Sequence, residues 1–434
     1  MRPYRTGALL LTVALALGFL AACSADEEPP VETAFQSLKK LVAADAADYD
    51  NFGIAVAVGA EFAVVGSPGD DDEGSNAGAA YVFARTEGGT DGWGEVVKLV
   101  AADAAAGDLF GISVDISGDY AAVGAASEDG AGVDRGAVYI FYRNQGGTDA
   151  WGQVVRLRAS GAADGDDFGI SVALDGDTLI VGAEGYSGAT DQEGAAYIFR
   201  RDQGGANAWG QVVRLLSDDP GDTDQYGYSV DISGDIALVG APGEDTVGGN
   251  RGAVRAYGRD YGGVEAWGLV KKIAPTAPQD NSWFGTSVAI RGARAIVGAP
   301  WHDGAGTDRG AVYVFGQNEG GADAWGQVAV LTATDTRDDD LLGLDIALYG
   351  SYVVAAAPYS RGGGTERGQV YVFGENEGGP GAWGEVQVLR ASDGSNTDQF
   401  GVSVDIFGGY ILGGATGEDG SGTDRGAAYL FKEI

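Results

Sequence analysis

The chain has one cysteine, one histidine and one methionine in 434 residues. Without a second cysteine it forms no internal disulfide, so its stability has to come from packing. His302 is the sole histidine, which excludes a histidine-cluster metal centre, and no Ser-His-Asp or phosphate-loop pattern appears. Basic residues are scarce as well, 27 Lys and Arg against 63 Asp and Glu, a net charge of −36. Such a surface repels nucleic acid and anionic membrane and favours cations or basic partners, and acidic loops also keep a protein soluble.

Long apolar runs are missing too, apart from Ala8 to Leu20 behind Arg2 and Arg5. That run is short for a membrane span and reads as the core of a secretory signal, residues 1–22. Its end, Leu20-Ala21-Ala22-Cys23, resembles the bacterial lipobox, in which the cysteine becomes the lipidated first residue. Loss of the signal would leave a charge of about −38. Residues 23–34 then read as the lipidated Cys23 and a flexible acidic tether. The resemblance implies a protein secreted to the cell envelope and anchored there through Cys23. Ser24, rather than Asp, implies the outer membrane or cell surface in an envelope of Gram-negative type.

What the sequence has in abundance is repetition. Phe52-Gly53, Phe110-Gly111, Phe168-Gly169, Tyr226-Gly227, Phe284-Gly285, Leu342-Gly343 and Phe400-Gly401 recur at a fixed step of 58, without insertion or deletion. Trp93, Trp151, Trp209, Trp267, Trp325 and Trp383 keep the same step, as do the Gly-Gly pairs such as Gly146-Gly147. A period of this length signals units that bury their apolar faces against one another. Within the second copy, Phe110 to Ile116, Tyr120 to Ala125, Ala137 to Tyr142 and Gly152 to Leu157 read as four strands A to D. Four antiparallel strands per unit make a propeller blade, with A–B and C–D connections on one face and B–C and D–A on the other.

The chain ends sharpen this. Phe35 lies one period before Trp93 and opens a strand D pattern, while the last copy stops at Ile434, before its own strand D. The fold expected is all-β, a seven-bladed propeller over residues 35–434, closed by the N-terminal strand completing the last blade. The repeated tryptophans then read as core, the Gly-Gly pairs as turns, and Arg135, Arg251, Arg309, Arg367 and Arg425, each before a glycine, as ion pairs pinning strand C.

Phe-Gly opening strand A and Val-Gly-Ala-Pro closing strand B (Val239 to Pro242, Val297 to Pro300) resemble the FG-GAP repeat of integrin α-chain propellers, with Asn-x-Gly-Gly-x-x-x-Trp-Gly similar to its bacterial branch. Many such blades carry a calcium loop between strands A and B. Here that connection is as short as Ser233-Gly234-Asp235, too few oxygens for calcium, so those sites are not carried over. No cofactor is expected, and the remaining place for weak calcium binding is the acidic run Asp70, Asp71, Asp72 and Glu73, with Asp338 to Asp340 as a second.

In so regular a chain the departures carry the information. Trp301 and Tyr359 fill a place that is Gly69, Gly185, Gly243 or Gly417 elsewhere; Tyr186 and His302 fill the next, acidic in several copies; Trp283 stands where others have Asn51 or Gln225. Trp283, Trp301, His302 and Tyr359 belong to blades 5 and 6 and are expected to form one patch on the B–C/D–A face, with Tyr186 a further candidate. The function expected is a lipid-anchored, monomeric, non-catalytic binding or adhesion module for a protein, glycan or cation. A purely structural envelope protein and a carboxylate-pair glycoside hydrolase are the alternatives.

Overall fold

The computed structural model describes residues 34–245, 249–377 and 379–434, so the signal and tether expected over residues 1–33 lie outside it. The described residues hold 28 strands, numbered β1 to β28 in chain order, and no helix. Blade 1 consists of β2 (Val56–Val58), β3 (Phe62–Ser67), β4 (Ala79–Ala84) and β5 (Gly94–Leu99), antiparallel in that order from the centre outward. Five more blades repeat the arrangement. Blade 7 takes β26 (Val404–Phe407), β27 (Tyr410–Ala415) and β28 (Ala427–Glu433) from the end of the chain and its outer strand from the beginning, β1 (Phe35–Leu41). Phe35 pairs with Glu433 and Leu41 with Ala428, so the two chain ends close the ring.

The apolar core lies between blades, because each four-stranded sheet buries both faces against its neighbours. Trp151 of blade 2 packs edge-on against Phe62 of blade 1 at 5.1 Å, Trp209 against Tyr120 at 5.8 Å, and Trp93 against Tyr410 of blade 7 at 5.4 Å. Phe35 takes the same place against Tyr352 at 5.3 Å and is 1% exposed. Each of these aromatic keystones joins one blade to the one before it. Trp383 departs from this: it is half-buried, its loop carries Pro380, and Arg294 of blade 5 lies over its ring at 5.1 Å.

The two recurring glycines mark the closest approach of adjacent backbones. Gly111 donates to Gly124 O at 2.8 Å within blade 2, while a Cβ on Gly124 would lie 2.1 Å from Gly169 O of blade 3. Strand A accordingly begins later than the sequence pattern indicates, at Ser113 rather than Phe110. Gly111 has φ +96°, which no extended strand accommodates, and Phe110 makes a short parallel bridge to Gly78 of blade 1 instead. Just inside, the hydroxyls of Ser113, Ser171, Ser229, Ser287 and Ser403 each donate to the carbonyl of that glycine in the next blade, Ser403 reaching Gly53 of blade 1 at 2.9 Å.

Candidate functional site

The B–C/D–A face is built from carboxylates, and most of them have a structural partner. In blade 1 the Lys98 ammonium, rising from β5, stands 2.8 Å from Asp45, 2.7 Å from Asp70 and 2.6 Å from Asp72. Tyr81 donates its hydroxyl to both Asp45 and Asp70, at 2.8 Å each. Burial alone would lower the pKa of Lys98, but its three carboxylate bonds outweigh that and hold it above the usual lysine range. Asp45, Asp70 and Asp72 lie close enough together to hold a metal ion, yet a cation already stands among them, the lysine itself. Asp71 is engaged differently, accepting from the Asn76 amide at 2.7 Å. In the second acidic run, Asp338 pairs with Arg309 at 3.1 Å and the buried Asp340 accepts from the Arg337 amide at 2.7 Å.

The same base–acid set recurs. Lys40 joins Asp393 and Glu418 in blade 7, Arg156 joins Asp103 in blade 2, and Lys272 joins Glu244 in blade 4, where Arg255 replaces the tyrosine and is itself fully buried. Blades 3, 5 and 6 depart from it. Tyr186 takes the acid's place in blade 3, and the guanidinium of Arg214, from the outer strand, lies over its ring at 5.0 Å. In blade 5 acid and base vanish together: His302 replaces the acid and Val330 the lysine. His302 packs against Tyr313 with centroids 6.1 Å apart, and burial lowers its pKa, partly opposed by Asp303. In blade 6 the acid is Ser360 and the base Val388.

Trp283 and Trp301 do meet, at 5.4 Å and 47° between ring planes, and both are half-buried. Trp283 has φ +52°, the left-handed value that Asn51, Leu109, Asp167, Gln225, Leu341 and Gln399 share in the other blades, so its backbone is common and only its side chain differs. The place of Trp301 is different. At Gly69, Gly185, Gly243 and Gly417 a Cβ would lie 2.0 to 2.1 Å from a carbonyl of the D–A loop, and Gly69, Gly243 and Gly417 donate to that loop. Trp301 and Tyr359 make no such bond among the described residues, and neither does Gly185. Tyr359 is 38% exposed on blade 6. The contact seen is therefore the tryptophan pair, with His302 turned onto Tyr313 beside it.

The repeated arginines are ion-paired, but across blades. Arg135 reaches Asp164 at 2.8 Å and Arg309 reaches Asp338 at 3.1 Å, each tying the start of strand C to the D–A loop that follows. Arg367 meets Asn396 instead, at 3.3 Å.

Sequence reasoning missed the centre of the ring. The innermost strands enclose a channel of about 740 Å³ into which Asp115, Asp231, Asp345 and Asp405 partly open. Each carboxylate accepts from the amide that follows it and from an amide of the next blade: Leu174 for Asp115, Ile290 for Asp231, Val404 for Asp345 and Val58 for Asp405, at 2.5 to 2.7 Å. Burial raises them, to about 7, 8, 7 and 6 respectively, against those bonds, and their partial exposure to the lumen damps the effect. The available signal was an acid inside a strand, Val-Asp-Ile, at the same step in three copies.

No curated protein matches the chain. Among solved structures, the crystal structure of Saccharomyces cerevisiae Sqt1 is similar, with 10% identity over 92% of this chain and 98% of that one and a TM-score of 0.47. The FG-GAP repeat family matches seven times, over residues 35–83, 93–141, 151–199, 209–257, 267–315, 325–373 and 383–431. Each match begins at the aromatic keystone of one blade and ends in strand C of the next, and with seven of them around the ring the chain belongs to the FG-GAP repeat family.

Proposed function

We propose that the chain is a non-catalytic binding module that takes its ligand on the B–C/D–A face at blade 5, carried on the cell envelope by a lipid on Cys23. The observation behind this reading is the contact of Trp283 with Trp301. Four other blades close the same loop with glycine, so the ring needs no indole there, and a partly exposed aromatic pair suits stacking on a sugar ring or a peptide side chain. Phe35 enters β1 beside the end of β28, on the A–B/C–D face.

Blade 3 favours a second reading, a purely structural body, because Tyr186 serves internal packing under Arg214. The full chain and its Trp283→Ala/Trp301→Ala variant, applied to glycan and peptide arrays with melting temperature measured in parallel, separate the two. The binding reading expects an unchanged melting temperature and a ligand lost by about tenfold or more. Identical array profiles, or a variant that melts lower with no ligand lost, would sink it.

A further inference from the structure

The outer strand of each blade is a sheet edge, and an open edge is a template for another strand unless charge or cover guards it. Five blades place a base on that strand: Lys40 on β1, Lys98 on β5, Arg156 on β9 (Gly152–Leu157), Arg214 on β13 (Gly210–Leu215) and Lys272 on β17 (Gly268–Ile273). The outer strand of blade 5, β21 (Gly326–Leu331), reads Gly-Gln-Val-Ala-Val-Leu and has no charge at all. Val330 stands in the place of Lys98, and with the base gone Val328 and Val330 are 44% and 41% exposed. Carboxylates outnumber bases around this apolar strip: Glu319 and Asp323 are exposed near one end, Asp335 and Asp339 with the base Arg337 near the other, where Arg390 also stands 4.0 Å from Asp335, and Glu385 on blade 6.

We propose that the outer edge of β21 is the docking site for an extended segment of a basic partner protein, which adds to blade 5 as a further strand. Its main chain pairs with the charge-free edge, which bulges at Val328, apolar side chains lie on Val328 and Val330, and its lysines or arginines face the flanking carboxylates. A second copy of this chain would bring like charges to the same carboxylates, so charge complementarity selects a basic partner. The site is separate from the Trp283–Trp301 loops and does not depend on them.

The test uses the full chain, a synthetic peptide alternating valine and lysine, and one of equal length alternating valine and glutamate. The lysine peptide is expected to bind and to slow amide exchange in residues 326–331 but not in β5 or β9. Val330→Lys should weaken it about tenfold or more by restoring a like charge at the edge, and Val328→Lys serves if Val330→Lys does not fold. Trp301→Ala should leave the affinity unchanged. Equal binding of both peptides, binding without protection of β21, or affinity untouched by the lysine substitution would overturn the proposal. So would a dimer of the chain that Val330→Lys abolishes, since the occupant would then be a second copy.

Discussion

In blade 1 the Lys98 ammonium stands among Asp45, Asp70 and Asp72, with Tyr81 bridging two of the acids; in blade 5 the places of Lys98, Asp45, Asp70 and Tyr81 are held by Val330, Ala277, His302 and Tyr313. Only the tyrosine is shared. The losses are matched, as physical chemistry requires: an acid such as Asp70, 4% exposed, left without its base would be a buried uncompensated charge. Blade 1 therefore shows what the ring uses to tie its loops to its outer strands, and blade 5 shows a sector where that tie has been exchanged for aromatic and aliphatic surface. The acids tied to the outer strands come with a base, and blade 5 lacks both where its aromatic surface stands.

The comparison holds only while the ring is closed, and the largest effect is expected from opening it. Deleting residues 35–41 removes the buried Phe35 and Leu41 and leaves blade 7 with three strands, which should cost about 5 kcal/mol or more, comparable with the whole stability of many domains. Thermal unfolding reads it, and an unchanged melting temperature would show that the N-terminal strand is dispensable. Next come the tryptophans. Trp151→Ala empties a keystone 2% exposed and should cost about 3–5 kcal/mol, whereas Trp301→Ala should cost under about 1 kcal/mol, so equal losses in denaturant titration would break the distinction between core and surface indoles.

Lys98→Val in blade 1 should cost about 1–3 kcal/mol, chiefly by stranding the buried Asp70, since Asp45 and Asp72 can turn to water, and Asp70→His in the same chain should return part of that loss. A double-mutant cycle with a coupling below about 0.5 kcal/mol would mean the paired changes in blade 5 are unrelated.

The smallest effect expected is on pH dependence, and it belongs to neither blade: Ala57 and Ala289 stand where blades 2, 4 and 7 have Asp115, Asp231 and Asp405. A carboxyl whose folded pKa is raised binds more protons folded than unfolded. These carboxyls therefore favour the fold at low pH, and that advantage is lost as pH rises from about 4 through the values of about 6 to 8 that burial gives them. Melting temperature should fall between pH 5 and 8, and the combined Asp115→Asn, Asp231→Asn and Asp405→Asn variant should fall less steeply. An equal slope would place the response in the surface acids instead.

The ring itself was legible because its causes are local and repeated. Phe35, one period before Trp93, was enough to place β1 in blade 7, and the Phe-Gly and Val-Gly-Ala glycines reported the contact between blades before any coordinates. The site was legible only in part. Trp283 and Trp301 could be matched as departures in neighbouring loops, but the exchange of His302 for the acid goes with that of Val330 for the base, which lies on β21, 28 positions away in a pattern that looked merely apolar. The acidic run at Asp70 to Asp72 read as a cation site because its cation, Lys98, is brought to it by the pairing of β4 with β5. The channel aspartates were hidden for a related reason: strand A alternates normally around them, and nothing in one blade's sequence tells that seven such strands face a common lumen.

Blade 5 departs from the repeat for its surface and not for the fold. The most direct measurement is the melting temperature of the chain in which blade 5 receives the residues of blade 1: Ala277→Asp, Trp283→Asn, Trp301→Gly, His302→Asp and Val330→Lys. The account predicts a melting temperature equal to or above that of the parent chain, because the restored base–acid set suits the ring. A melting temperature several degrees lower would contradict it.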